Sequence, residues 1–160
     1  MMDLQIIKAG VNQKEIIKNM MQFYFYDFSQ FVEAHVGETG LFGEYPYLDY
    51  YWTEENVRFP YLVKLNDKNA GFVFVRFIQS EHKNYFSIAE FFIMKKYRMT
   101  GLGRQVAESI FDLHRGQWEV FQLEQNTPAQ AFWNKVIDRY TKGQFTERFE
   151  EGRRIQEFVN

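Results

Sequence analysis

Two features of this sequence have the residue types and spacing for chemistry: a glycine-bearing turn with an arginine at each end, and a lone carboxylate in an apolar run. The turn is Arg98-Met99-Thr100-Gly101-Leu102-Gly103-Arg104. It lies between a stretch of strand character and one of helical spacing. A helix start offers unpaired backbone N–H groups and a partial positive charge to an anion. Glycine lets a diphosphate approach the backbone, and arginine matches phosphate geometry. A dinucleotide-binding turn would want Gly or Ala where Val106 stands. A P-loop would want Gly-Lys-Ser/Thr, which is absent. The carboxylate is Glu90, between Ala89 and Phe91. Burial there would raise its pKa and let it accept a proton directly or through water. Strands alternate faces, so the same position also suits a carboxylate turned to solvent or paired with Lys or Arg.

Such residues need a frame. Leu4 to Ile7 has strand character. Asn12 and Glu15 have capping-box spacing, and Ile16, Ile17, Met20, Met21 and Tyr24 follow at helical spacing, predicting a first helix from about 13 to 26. Thr53, with Glu54 and Glu55 behind it, predicts the start of a short second helix. Tyr61 to Leu65 and Gly71 to Ile78 read as strands joined by the loop Asn66-Asp67-Lys68-Asn69, and Tyr85 to Met94 as a third strand. Leu102, Val106, Ile110 and Leu113 share one helical face, with Gly116 placed for a C-terminal cap. Trp118 to Leu123 reads as a strand. Thr127-Pro128 then opens a helix striped by Ala129, Phe132, Trp133, Val136 and Ile137. Strands at about 141 to 149 and 153 to 159 finish the chain. A meander followed by a strand–helix–strand crossover predicts an α/β (α+β) fold with a mixed sheet and helices on its faces.

At 160 residues the chain suits one domain spanning 1–160. It has no cysteine, which excludes disulfides, thiolate metal sites and cysteine catalysis and fits a cytoplasmic setting. Three histidines without paired spacing predict no metal site. A net charge of −2 argues against nucleic acid or an anionic membrane as partner. The N-terminus lacks the pattern of a signal peptide, and no apolar run approaches the roughly 20 residues that span a bilayer.

Against this frame, IAEFFIMKKYRMTGLGRQVAESIF resembles the acetyl-coenzyme A-binding motif of the GCN5-related N-acetyltransferases (the GNAT superfamily), whose core is R/Q-x-x-G-x-G/A. Asn126-Thr127-Pro128-Ala129-Gln130-Ala131-Phe132-Trp133 resembles that family's second motif, N-x-x-A followed by aromatics. The resemblance implies a mixed, mostly antiparallel sheet of about six to seven strands with about four helices. It also implies roles. Backbone N–H groups from Arg98 through Met99, Thr100, Gly101, Leu102 and Gly103 to Arg104 would cradle the pyrophosphate. Phe91, Phe92 and Ile93 would lie along the pantetheine arm. Asn126 would make a polar contact near that arm, and Phe132 and Trp133 would line the thioester end. Glu90 becomes the catalytic base. Many relatives carry a Tyr where Trp133 stands, and indole has no phenolic proton to give. Tyr97 or Tyr24 would then protonate the leaving thiolate, or it leaves without an acid. Tyr140 lies past the apolar stripe of its helix.

Thioester-to-amine transfer needs no enzyme nucleophile, and a typical amine, with pKa near 10, must shed a proton before attack. Direct attack in a ternary complex follows, with positioning supplying much of the acceleration. Residues 23–61 hold 14 of the chain's 31 aromatics. Most of these build core or a homodimer surface. Tyr24, Asp27, Glu44, Tyr45, Tyr47 and Asp49 are the candidates for binding a cationic small-molecule amine, since aromatic faces and carboxylates suit one. A peptide or protein acetyltransferase and a non-catalytic acetyl-coenzyme A-binding module stand as alternatives.

Overall fold

The computed structural model describes residues 2–160. Its strands are β1 (Leu4–Lys8), β2 (Arg58–Leu65), β3 (Lys68–Gln79), β4 (Asn84–Ile93), β5 (Gln117–Leu123), β6 (Thr146–Glu150) and β7 (Arg153–Val159). Its helices are α1 (Lys14–Phe28), α2 (Tyr50–Thr53), α3 (Leu102–Leu113) and α4 (Thr127–Thr141). The strands join in the order β1-β2-β3-β4-β5-β7-β6. β1–β2, β5–β7 and β6–β7 are antiparallel, whereas β4 and β5 pair in parallel, Phe86 with Trp118 and Ser87 with Glu119. A parallel neighbour requires a crossover, which α3 provides. The mixed, mostly antiparallel sheet and the four helices are those expected. No helix among the described residues is long and apolar enough to cross a membrane.

Local chemistry explains where the element boundaries depart from expectation. The hairpin between β2 and β3 is a two-residue turn, Asn66 and Asp67 both at positive φ (49° and 61°), the primed geometry that Asn and Asp tolerate. β3 therefore starts at Lys68 instead of Gly71, while β2 ends at Leu65 as expected and begins earlier, at Arg58. At the start of α1 the cap is not Asn12. The Gln13 side chain instead accepts from the Gly10 N–H at 3.0 Å, and Val11–Gln13 forms one 3₁₀ turn. The short helix expected to start at Thr53 ends there, because Tyr51 is buried with its ring 4.1 Å from that of Phe74. Gly116 does not cap α3. Its N–H donates to Asn160 Oδ1 (2.9 Å), and its carbonyl accepts from the Asn160 N–H (3.1 Å), at the edge of β5. α4 begins one residue earlier than a Thr127 cap would give, because the Asn126 side chain accepts from the Ala129 N–H at 3.2 Å and serves as the cap. α4 also runs on to Thr141, with Lys142 and Gly143 at positive φ behind it, so β6 starts later than residue 141.

The chain falls into two compact units, one made of residues up to Phe74 with Glu90–Tyr97, the other of Val75–Ala89 with Arg98–Asn160. In the first, Ile17 and Met21 of α1, Leu62 and Val63 of β2, and Phe72 and Phe74 of β3 are almost fully buried. In the second, Val106, Ile110 and Phe111 of α3 are buried with Trp118, Ile137 and Phe158. Phe111 meets Trp118 and Phe158 edge-on at 4.9 and 5.0 Å. The second unit also holds an ion network. Lys83 bridges Glu119 and Glu157 at 2.6 Å each, and Arg148 bridges the same pair at 2.8 and 3.0 Å. Burial alone would raise the Glu119 carboxyl. Its hydrogen bonding with Glu157, Lys83 and Arg148 overcomes this and holds it below the usual range.

Gly71 of β3 lies directly against the backbone of β4. A Cβ there would sit 2.1 Å from the Phe92 carbonyl oxygen and 3.1 Å from Ile93 Cα. Both obstacles are backbone and cannot swing aside. Gly71→Ala should therefore cost at least about 2 kcal/mol of stability, an overpacking effect read from the urea midpoint of unfolding.

Candidate active site

In the second unit, the turn before α3 has the backbone shape its sequence suggests. Gly101 occupies the N-cap position in the left-handed region, φ 85°, with no side chain capping the helix start. A Cβ at Gly101 would meet only the end of the Arg104 side chain, at 3.9 Å, so space lies open in front of the first-turn amides. Met99 also takes positive φ (63°) and is fully exposed. An uncapped helix start with open space before it suits an anion. Gly103 has a different reason to be glycine. A Cβ there would lie 3.1 Å from the Phe132 ring, so Gly103 makes room for α4 as well as for any ligand.

Other expected cofactor residues of this unit are partly committed. Arg104 Nη1 donates to both Glu108 carboxylate oxygens at 3.3 and 3.4 Å. Arg98 and Thr100 are exposed. Asn126 is engaged as the α4 cap. Trp133 is buried with its ring 6.3 Å from that of Phe111, while Phe132 is half-buried and meets Trp133 edge-on at 5.0 Å. Tyr140 donates to Asp112 at 2.7 Å and accepts from Asn160 at 3.0 Å.

In the first unit, β4 carries Glu90 inward. Alternation puts Glu90 and Phe92 on one face, and Tyr24 of α1 meets both: its hydroxyl donates to Glu90 Oε2, and its ring lies 5.8 Å from that of Phe92. The Tyr24 hydroxyl also accepts from the Phe91 backbone N–H. Tyr45, from the segment between α1 and α2, stands close enough to Glu90 for each group to shift the other's titration. Phe72 and Phe74 of β3 lie against these tyrosines, Phe72 edge-on to Tyr24 at 5.6 Å and Phe74 at 5.9 Å from Tyr45. Removal from water pushes the Glu90 carboxyl up to about 7, against the downward pull of the Tyr24 and Tyr45 hydroxyls. Burial and the neighbouring Glu90 charge raise both tyrosines, so they stay protonated. A carboxyl titrating near neutrality inside an aromatic shell can take up a proton and release it.

Of the six expected acceptor residues, only Tyr24 and Tyr45 reach this carboxylate. Tyr47 is exposed, its ring 5.9 Å from that of Tyr45. Glu44 faces Lys18 at 3.6 Å, and Asp49 pairs with Lys14, both at the surface. Asp27 is half-buried near the end of α1. Two nearby residues were missing from the expected set. Tyr51 is fully buried, and Arg58 of β2 holds its guanidinium carbon 5.4 Å from the Tyr51 ring centre. Their sequence signal was only membership of an aromatic-rich stretch. Among the described residues, no group of three or more His, Asp or Glu is gathered to hold a metal ion.

The model of the acetyltransferase (GNAT) family matches residues 20–137. Among curated proteins, none matches the sequence significantly. Many solved structures share the fold. An acetyltransferase from Thermus thermophilus is 13% identical, with 98% of this chain and 97% of that one covered, at a TM-score of 0.64. The PaiA N-acetyltransferase from Thermoplasma acidophilum, in complex with coenzyme A, is 12% identical over 99% of both chains, at 0.62. The GNAT domain of PAT from S. lividans is 14% identical, covering 98% of this chain and 90% of that one, at 0.65.

The raised Glu90 carboxyl carries a stability signature. Its folded pKa of about 7 lies above the ordinary 4.5, so the folded state holds a proton that the unfolded chain has released between those values. Stability from this group is full below pH 4.5 and is lost as pH rises through about 7. Glu90→Gln should abolish that loss. Thermal unfolding should leave the variant gaining on the wild type by up to about 3 kcal/mol between pH 4.5 and 8.

Proposed function

Because the chain belongs to the acetyltransferase (GNAT) family, we propose that it moves an acetyl group from acetyl-coenzyme A to a primary amine of a small molecule, with Glu90 as the base. Membership makes the chain an acyltransferase that depends on acetyl-coenzyme A. The finer reading is carried by one observation: a carboxylate in an aromatic enclosure, hydrogen-bonded by Tyr24 and raised to about 7 by burial.

The turn fits the cofactor. The open space at Gly101 and the uncapped start of α3 suit a diphosphate held by backbone N–H groups, with Arg98 and Arg104 adding positive charge. When bound, acetyl-coenzyme A supplies an acetyl group already activated as a thioester. The residues Phe91 to Ile93 offer their backbone to the pantetheine arm, and Phe132 borders the turn. Glu90 accepts the proton that an ammonium must lose before its nitrogen can attack. Tyr24 holds the carboxylate by its hydrogen bond, and the two tyrosines lower a pKa that burial alone would push higher. Tyr24 already donates to Glu90, so it serves the base first. The tyrosine faces suit the cationic acceptor as it arrives.

Calorimetry with coenzyme A, NAD and ATP should give binding for coenzyme A alone. Release of free thiol, followed with a panel of small amines, should identify the acceptor. For that amine, kcat/KM should rise with pH through about 7 as Glu90 loses its proton. Glu90→Gln should lower kcat by about 100-fold or more with coenzyme A affinity unchanged. A variant that kept full turnover would remove Glu90 from the reaction. Arg104→Ala should instead weaken coenzyme A binding by about tenfold with little change in the pH profile.

A further inference from the structure

We infer that Lys14, Lys18 and Gln22 of α1 fasten residues 42–49 as a strap over the Glu90 enclosure, and that the acceptor amine enters by lifting it. The inference rests on the reading of Glu90 as the base and adds the residues that control access to it.

Three side chains spaced four apart lie along one face of a helix. Each meets one residue of the segment between α1 and α2, in reverse order along the chain. The Gln22 amide takes both backbone groups of Phe42: its Nε2 donates to the Phe42 carbonyl at 3.2 Å, and its Oε1 accepts from the Phe42 N–H at 2.9 Å. Lys18 faces Glu44 at 3.6 Å, and Lys14 pairs with Asp49. The segment therefore runs antiparallel to α1, held by a seam of side chains. Its backbone bonds are local turns, such as Leu48 N–H to the Tyr45 carbonyl at 3.2 Å. The Phe42 ring meets that of Phe25 at 6.5 Å, and the Tyr45 ring lies 5.9 Å from that of Phe74.

The walls around Glu90 differ in how they are built. Tyr24 belongs to α1, Phe72 and Phe74 to β3, and Phe92 to β4, all elements held by their own backbone ladders. Tyr45 belongs to the strap. An ammonium cannot reach an enclosed carboxylate unless one wall gives. The strap costs least to move, because exposed ion pairs are worth about 0–1 kcal/mol each and only the Gln22 clasp adds geometric precision. Opening of a segment held this way is a local event that leaves the sheet intact.

The chain has no cysteine, so Lys18→Cys with Glu44→Cys supplies two unique thiols across the seam. Joining them with a short, reducible bifunctional thiol reagent should lower turnover of the amine selected by the thiol-release assay by about 100-fold. Reductant should restore it, and coenzyme A affinity by calorimetry should not change. The unlinked double variant is the reference, so a folding defect cannot imitate the result. Hydrogen exchange reads the same motion in the free wild-type protein. The Phe42 N–H, held by a side chain, should exchange at least about tenfold faster than the Met94 N–H, held at 2.8 Å by the Ala70 carbonyl. Gln22→Leu should speed exchange at Phe42 by about tenfold more and leave Met94 alone. Full turnover in the linked protein, or equal protection at Phe42 and Met94, would overturn the strap. If linking stops turnover but Glu90→Gln does not, the strap stands and the reading of Glu90 as base falls.

Discussion

A carboxylate among aromatic rings is expensive to keep charged, and the first unit is arranged around that constraint. Water would stabilise Glu90 far better than Phe72, Phe74 and Phe92 can. The Tyr24 hydroxyl stands in for it by a hydrogen bond, and the Tyr45 hydroxyl, from a separate part of the chain, lowers the carboxyl from nearby. Neither is placed by local sequence. Tyr24 depends on the face that α1 presents, and Tyr45 depends on a loop tied back to α1 by the pairs Lys14–Asp49 and Lys18–Glu44. Those pairs are surface contacts worth little individually. They do, however, span the segment that carries one of the two hydroxyls.

The turn before α3 obeys a different constraint, one of backbone rather than charge. Gly101 needs a left-handed conformation that other residues adopt only with strain. The start of the helix is left without a side-chain cap, a cost that a bound anion can offset. The neighbouring glycines of the fold answer to packing instead. Gly71 yields to a carbonyl of the adjacent strand and Gly103 to an aromatic ring. Residue type alone does not tell these three situations apart.

That difference explains what could be read from the sequence. The strand–turn–helix around Arg98 to Arg104 was legible because its signals are local, glycine spacing and helical periodicity; the apolar run around Glu90 left two facings open, and only the fold turns it inward. Helix ends were less legible where two capping residues stand side by side. Asn126 and Thr127 can both cap, and only the fold selects Asn126. Thr53 looked like a helix start because acidic residues follow it, but the burial of Tyr51 placed α2 one turn earlier. Glu44 and Asp49 looked like acceptor ligands until the lysines of α1 were seen to face them. Tyr51 and Arg58 gave no signal, because the packing of the Tyr51 ring on Phe74 and of the Arg58 cation over that ring exists only once α2, β2 and β3 are assembled.

The contact between Gly103 and Phe132 links the two signature motifs of this chain mechanically. A larger residue at position 103 presses first on the ring at position 132. Alanine in the turn asks that ring to give by only a few tenths of an ångström, whereas bulkier residues ask for more, so the tolerance of one motif to change is set in part by the other.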